Sequence, residues 1–382
     1  MVTVREAVTR RDIREFVLFP WRVYKGDSNW VPPIIADTLR MLNKRRSPFF
    51  EFGEAAYFLA YKGGRCSGRI SAHINRNHNE FHGTKDGFFG FYECLDDDEV
   101  SRSLLSAAEE WLVARGMTKI VGPESFTVYD EQCLLVDGWE AQPSTPVVMA
   151  VYNPRYYVDQ MTKSGYGKEI DWYAFKVDGS APIRDGLLKA KERLVNQKGY
   201  VFRNVNFKRL DEEIAKIKVI FNEAWSDNWG HYPFTDRQFE QIKSALLLFV
   251  DPRLCFIVET KDGAPVGCSI TLPDINPAVK RMNGRFLPFG WFHFLYGRKH
   301  SEGARTFMMG VMREYRNQGV DIAMVVETIK TGLGAGYKWS ECSLVVETNL
   351  NMIRPIEKWG GTRYKSYRLF SKKLTPGEVK LG

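Results

Sequence analysis

The stretch "VMREYRNQGVDIAMVVETIK" (residues 311–330) reads as the end of a strand near Met312, a loop closing on Gly319, and a helix from about Val320. A glycine at the mouth of a helix lets backbone approach a phosphate closely. The helix N-terminus adds unpaired amides and a dipole that favours an anion. Arg316 supplies a charge-assisted contact. The loop therefore fits a pyrophosphate, with one departure: Asp321 follows where a small residue is expected. Its carboxylate is favoured by the same dipole, so it competes with a phosphate unless it turns sideways. A capped surface helix is the plain alternative.

The chain around this stretch has 382 residues, a length that suggests about two domains. With 44% hydrophobic and 26% charged residues, either half has the material for a core. The first fourteen residues are charged throughout and give no signal-peptide pattern. No run approaches the roughly 18 apolar residues needed to cross a bilayer. The six cysteines are scattered without CxxC pairs, which suits reduced core residues rather than a disulfide or zinc framework. A net charge of +8 favours an anionic partner without naming it.

The sequence also repeats. "YFLAYKGGRCSGRIS" (57–71) and "FIVETKDGAPVGCSI" (256–270) each read as a hairpin, with Gly64 matching Gly263 and Gly68 matching Gly267. "VTVREAVTRRDIREFV" (2–17) and "VFRNVNFKRLDEEIAKI" (201–217) each give strand, charged turn and amphipathic helix. "NPRYYVDQMTKSGYGKEIDWYAF" (153–175) and "NLNMIRPIEKWGGTRYKSYRLF" (349–370) each run Asn, short helix, Lys-x-Gly, strand. Three features in the same order indicate two copies of one α/β unit. The expected domains are 1–178 and 200–382, with residues 179–199 as a helical connector.

This order of elements resembles the GNAT superfamily of acyl-CoA transferases. The likeness extends almost end to end to its duplicated branch, which includes the bacterial ceramide synthases. It is carried by "SPFFEFGEAAYFLA", "GPESFTVYDEQCLLVDGW" and "YNPRYY" in the first half. In the second half it is carried by "FNEAWSDNWGHYPFT" and "ECSLVVETNLNMIRPIEKWGG". The resemblance implies an α/β fold of two tandem GNAT-like domains, each a mixed, mostly antiparallel sheet flanked by helices. It also implies acetyl-CoA or a longer acyl-CoA as co-substrate, an amine acceptor and no metal.

Under that resemblance Arg316, Asn317, Gln318, Gly319, Val320 and Asp321 form the pyrophosphate loop. Met309, Gly310 and Val311, on the strand before it, offer backbone amides to the thioester and its oxyanion. Gly310 suits either ligand approach or packing. In "SECSLVVETN" (340–349), strand alternation puts Glu341, Ser343, Val345 and Glu347 on one face. Glu341 and Glu347 are candidates to accept a proton from an amine, or else structural acids. Asn349 or Asn351 caps the next helix, Pro355 falls near its start, and Asn349 joins the cofactor residues. Many GNATs place a tyrosine acid seven residues after that asparagine. Here the position is Ile356, so catalysis would rest on positioning, on another acid such as Tyr364 or Tyr367, or on water.

"FNEAWSDNWGHYPFT" (221–235) lies where GNATs bind their acceptor. Trp225, Trp229, His231 and Tyr232 would wall it, with Asp227 and Asn228 at its polar end, unless the cluster is plain packing. "FLPFGWFHFLYG" (286–297) is either an acyl-chain channel lined by Phe289, Trp291 and Phe294, a surface against lipid headgroups, or a buried helix. His73, His78 and His82 lie close in sequence but in an Asn-rich turn, a weak metal signal. "GLGAG" (332–336) follows no strand and is no dinucleotide fingerprint.

The function expected is an acyl-CoA-dependent N-acyltransferase acting on an amphipathic or sphingoid-type amine, with a degenerate first domain. Three aspartates in "CLDDDEV" (94–100) stand where that domain would hold a phosphate. The rivals are a non-catalytic acyl-CoA or lipid binder and an aminoacyl-tRNA-dependent peptide transferase, nucleic acid being the less favoured partner. The expected location is the cytoplasm, with peripheral contact at the inner membrane face.

Overall fold

A computed structural model describes residues 1–180, 185–247 and 250–375. In chain order the strands are β1 (Val2–Glu6), β2 (Gly53–Lys62), β3 (Arg65–Asn75), β4 (Asp86–Cys94), β5 (Lys119–Gly122), β6 (Leu134–Asp137) and β7 (Gly167–Asp178). They continue with β8 (Val201–Asn204), β9 (Cys255–Glu259), β10 (Pro265–Pro273), β11 (Gly303–Val311), β12 (Trp339–Val346) and β13 (Thr362–Lys373). Six helices matter to the site: α1 (Asp98–Val113), α2 (Asp185–Arg193), α3 (Leu210–Ala224), α4 (Gly290–Lys299), α5 (Val320–Gly334) and α6 (Leu350–Lys358). Helix α2 and the π-helical turn Leu194–Lys198 fall in the expected connector, of which residues 181–184 lie outside the described residues.

The chain forms two compact units. The first holds Met1–Asp171, Asn276–Phe294 and Lys365–Gly382; the second holds Trp172–Ile275 and Leu295–Tyr364. In the first unit the strand order is β1-β2-β3-β4-β5-β13, with β6 also on β13. In the second it is β7-β12-β11-β10-β9-β8. Both sheets are antiparallel apart from one parallel pair each, β4 with β5 and β11 with β12. The final strand of the first sequence repeat, β7, pairs with β12 of the second. The final strand of the second repeat, β13, pairs with β5 and β6 of the first. Each sheet is thus completed by the closing strand of the other repeat.

In the first unit, β3 alternates between two environments. Ile70, Ala72 and Ile74 point into a core shared with Val100, Leu104, Leu105, Ala108 and Leu112 of α1. Their spacing on α1 is that of one apolar helical face. Arg69, Ser71, His73 and Asn75 occupy the other face of β3 and are all buried. In the second unit, Val320, Ala323 and Met324 of α5 pack on Phe256, Val258 and Val266. Ile353 and Ile356 of α6 pack on Phe175 and Val345.

Candidate functional site

In the second unit the parallel pairing of β11 and β12 runs from Gly303–Trp339 to Thr306–Cys342 and then ends. Beyond it, β11 stays registered on β10 as far as Val311. A loop then leads into α5. Asn317 (φ 60) and Gly319 (φ 85) both take left-handed conformations on either side of Gln318, so this turn demands a residue like glycine. Gln318 fixes the loop: its side-chain oxygen accepts from Lys198 and Tyr200, and its amide donates to the Glu314 carbonyl. Gly319 is the N-cap of α5, and no side chain caps that end. The first amides of a fifteen-residue helix are left without a side-chain partner.

The matching helix of the first unit differs. Asp97 caps α1, accepting from the amides of Glu99 at 3.0 Å and Val100 at 3.2 Å. Lys62 pairs with the same carboxylate at 2.5 Å. The donors and the cation that an anion would use are already taken by the chain itself. The gap beside β4 is closed too. The pairing of β4 with β5 stops at Phe88–Val121, and the next segment crosses over it, with the Glu124 amide donating to the Phe89 carbonyl at 2.7 Å. A Cβ on Gly90 would lie 2.0 Å from the Glu124 carbonyl oxygen.

No family model matches the chain. It is 34% identical over 373 residues to bacterial ceramide synthase of Caulobacter vibrioides, covering 96% of each protein. It is 32% identical over 380 residues to protein YghO of Escherichia coli K12, covering 97% of this chain and 95% of that one. The chain belongs to the duplicated GNAT branch that includes bacterial ceramide synthase. Solved structures agree on the fold. A tandem GNAT protein from the clavulanic acid biosynthesis pathway matches 99% of this chain and all of its own, with a TM-score of 0.59 at 12% identity. A GCN5-related N-acetyltransferase from Sphaerobacter thermophilus matches 98% of this chain and 96% of its own, with a TM-score of 0.54 at 15% identity. The protein is therefore a GNAT-type N-acyltransferase of two tandem GNAT domains.

The side chains of β11 and of the Arg316–Asp321 loop are placed as follows. Arg316 is held inward: it donates to the carbonyls of Val311 and Ala224 and pairs with Asp227 at 3.3 Å. Arg313 binds the same carboxylate at 2.5 Å. Asp321 is half-buried in the first turn of α5 and forms no cap. Val320 is in the core. Met309 packs at the edge of the same core as Val311. A Cβ on Gly310 would fall 2.4 Å from the Trp225 ring, so close packing accounts for this glycine.

Glu341 and Tyr364 are brought together. Glu341 is fully buried and accepts hydrogen bonds from the hydroxyls of Ser343 and Tyr364. Arg305, also buried, lies opposite Glu341 in register and donates to the Ser343 carbonyl. Arg305 was not singled out in the sequence; an arginine inside "GARTFMMGV" (303–311) is the signal. Glu341, Ser343 and Val345 do alternate into the interior, but β12 ends at Val346 and Glu347 lies half-buried in the following turn. The single face expected over 341–347 is interrupted by a register shift between Cys342 and Val345. Asn349 caps α6, accepting from the Met352 amide at 3.2 Å, and donates to the Asn228 side chain at 3.3 Å. Pro355 lies inside α6 rather than near its start. Ile356 is buried in the α6 core, so no acid stands there.

The aromatic cluster of 221–235 is largely packing. Phe221 stacks on Trp225 at 4.9 Å and on Phe234 at 5.1 Å, with His231 tilted beside it at 5.7 Å. His231 and Tyr232 are buried, whereas Trp225, Asn228 and Trp229 remain half-exposed.

The segment 286–297 is not a buried helix. Phe289 is 74% exposed, Leu287 72%, Phe292 57% and Trp291 44%, while Phe294 is half-buried against Phe286. Exposure of this kind does not line an enclosed channel. Among the described residues no helix is long and apolar enough to cross a membrane. His73 lies among the rings of Phe49, Phe88 and Phe126, and His78 lies 3.9 Å from Asp86.

One cluster escaped the sequence reading. In the first unit, Glu93 accepts from the Tyr157 hydroxyl at 2.7 Å, and Arg69 lies 3.9 Å from it. Burial pushes the Glu93 carboxyl up to about 7 despite Arg69, which opposes the rise. Burial also pushes Glu124 to about 8. The signal was "PESFTVYDEQC" (123–133), which carries three acids on a mostly buried segment.

Proposed function

We propose that this protein transfers the acyl group of an acyl-CoA to the amine of a lipid-like, sphingoid-type acceptor, using the second unit for CoA. The contrast between the two helix N-termini carries the reading: α5 is uncapped behind a glycine, whereas α1 is filled by Asp97 and Lys62. The pyrophosphate would take the free amides of α5, where the dipole favours it. The acyl thioester would lie along β11 beyond Thr306, where the strand has left β12 and its amides are the natural oxyanion donors.

In the reaction the amine nitrogen attacks the thioester carbonyl carbon, the C–S bond breaks, and the thiolate leaves with a proton. Tyr364 is the half-buried end of the Tyr364–Glu341 pair, and its hydroxyl would give that proton. Glu341 would orient it and, by way of that hydroxyl, take up the proton released as the attacking amine becomes an amide. The relative named for ceramide synthesis and the exposed apolar segment around Phe289 both favour a lipid-like acceptor and peripheral contact with the cytoplasmic membrane face. The same exposed aromatics would suit a long acyl chain less than a membrane surface, because nothing encloses them.

Calorimetry with acetyl-CoA should give one site per chain. Gly319→Val should abolish it, because a β-branched residue cannot take φ 85 without strain. Two equivalent sites would end the assignment to the second unit. Binding without thioester turnover on any long-chain amine would favour the non-catalytic binder.

A further inference from the structure

The polar face of the first unit contains a buried acceptor without a donor. Glu124 and Gln132 are directly paired across an isolated antiparallel bridge, so their side chains leave the backbone on the same side. Both are more than nine-tenths buried, at 3% and 6% exposure. The Gln132 side-chain oxygen has no hydrogen-bond partner. Asp130 faces the same carboxylate electrostatically, accepts from the Thr127 hydroxyl at 2.7 Å, and is open to solvent. A buried acceptor left unpaired is costly. With the Glu124 carboxyl beside it, that oxygen suits a ligand rich in N–H donors.

We propose that Glu124, Gln132 and Asp130 form a site for the primary ammonium group of an amphipathic amine, entered past Asp130. An ammonium presents three donors and no acceptor, one donor for each of these groups. Arg69 lies with Glu93 and Glu131 rather than with Glu124, so the fixed positive charge is not at this end of the face. A metal ion fits less well, because no group of three His, Cys, Asp or Glu side chains among the described residues converges closely enough to hold one. Calling the ligand an amine rests on the proposed N-acyltransferase reading; the unpaired Gln132 oxygen does not.

The test uses the full chain and octylammonium chloride, with 1-octanol as the neutral isostere, by calorimetry at pH 8.5. Octylammonium should bind at least tenfold more tightly than octanol. Glu124→Gln should remove that preference, while acetyl-CoA affinity, measured in parallel, stays within twofold and reports an intact second unit. If Glu124→Gln does not fold, Asp130→Asn should weaken octylammonium at least threefold on its own. Equal affinity for octanol and octylammonium overturns the proposal, as does a Glu124→Gln variant with unchanged ammonium affinity. Displacement of octylammonium by Mg²⁺ or Ca²⁺ alone overturns it in favour of a metal. Ammonium binding that survives when no CoA binds would leave this site standing and remove the acyltransferase reading instead.

Discussion

Asp321 shows how much one side chain can leave open. Its position in the first turn of α5 was readable from the sequence; its orientation was not. In the structure it makes no cap, so the helix amides are not consumed by it. Asp321→Ala should therefore change CoA affinity by less than about 1 kcal/mol, the scale of a solvent-screened dipole interaction. A gain of tenfold or more in equilibrium binding would mean that the carboxylate occupies the anion position. Tyr364 makes the opposite case. Nothing in its sequence position joined it to Glu341; the hydrogen bond between them, across 23 residues of chain, comes from the fold. Tyr364→Phe should lower kcat by about 10²-fold or more, the usual weight of general acid–base help. The dissociation constant for CoA should stay unchanged, since Tyr364 is not in the pyrophosphate loop. A parallel loss of CoA binding would assign Tyr364 to structure.

At the scale of elements, α4 is the clearest case of a pattern that local sequence leaves undecided. Twelve residues without Asp, Glu, Lys or Arg read equally well as a buried helix, a channel wall or a surface. Only tertiary packing decides, and it leaves Phe289, Trp291 and Phe292 outside. Between Asp274 and Glu302 there is no acidic residue, while Lys280, Arg281, Arg285, Arg298 and Lys299 are basic. An apolar surface bordered by cations suits an anionic lipid face. The double variant Phe289→Ser, Trp291→Ser should abolish sedimentation with phosphatidylglycerol vesicles. It should leave the melting temperature within about 2 °C, because exposed side chains contribute little to the core. A large fall in melting temperature would place these rings in the interior. Helix α6 makes a smaller point: the capping by Asn349 was legible from residue type, whereas Pro355 inside the helix was not.

For the whole molecule, the buried polar face of the first unit sets a pH dependence. Burial holds His73 down at about 3, against an ordinary value of 6.5. The unfolded chain takes up that proton below 6.5 and the folded chain refuses it. His73 therefore contributes stability above pH 6.5 that is lost as pH falls. Glu93 and Glu124 act in the other direction, with folded values of about 7 and about 8 against 4.5. Their contribution is complete below pH 4.5 and is lost as pH rises through the folded values. Each unmatched proton changes stability by about 1.4 kcal/mol per pH unit. From pH 4.5 to 6.5 the two acids outweigh the one histidine, and above 6.5 they act unopposed. Glu124→Gln removes one acid. It should raise the melting temperature by about 5 °C at pH 8.5 and change it little at pH 5, as scanning calorimetry at the two pH values would show. An equal shift at both would mean that Glu124 is already ionised in the fold.

The sequence by itself determined the repeat, the α/β class and the loop that could hold a pyrophosphate. These rest on local chemistry: alternation, glycines at turns, and a helix start marked by Gly319. Tertiary structure decided which strands close each sheet. β7 and β13 carry the same pattern, so either satisfies an antiparallel edge, and only three-dimensional pairing shows that each serves the sheet of the other repeat. It also decided which polar residues lie inside. Arg69, Ser71, His73 and Asn75 are polar residues on one face of β3, yet all are buried, with Phe126 lying against His73 and accepting from Asn75. Burial depends on what the rest of the chain brings over a strand, and that contact is long-range, so no local pattern records it.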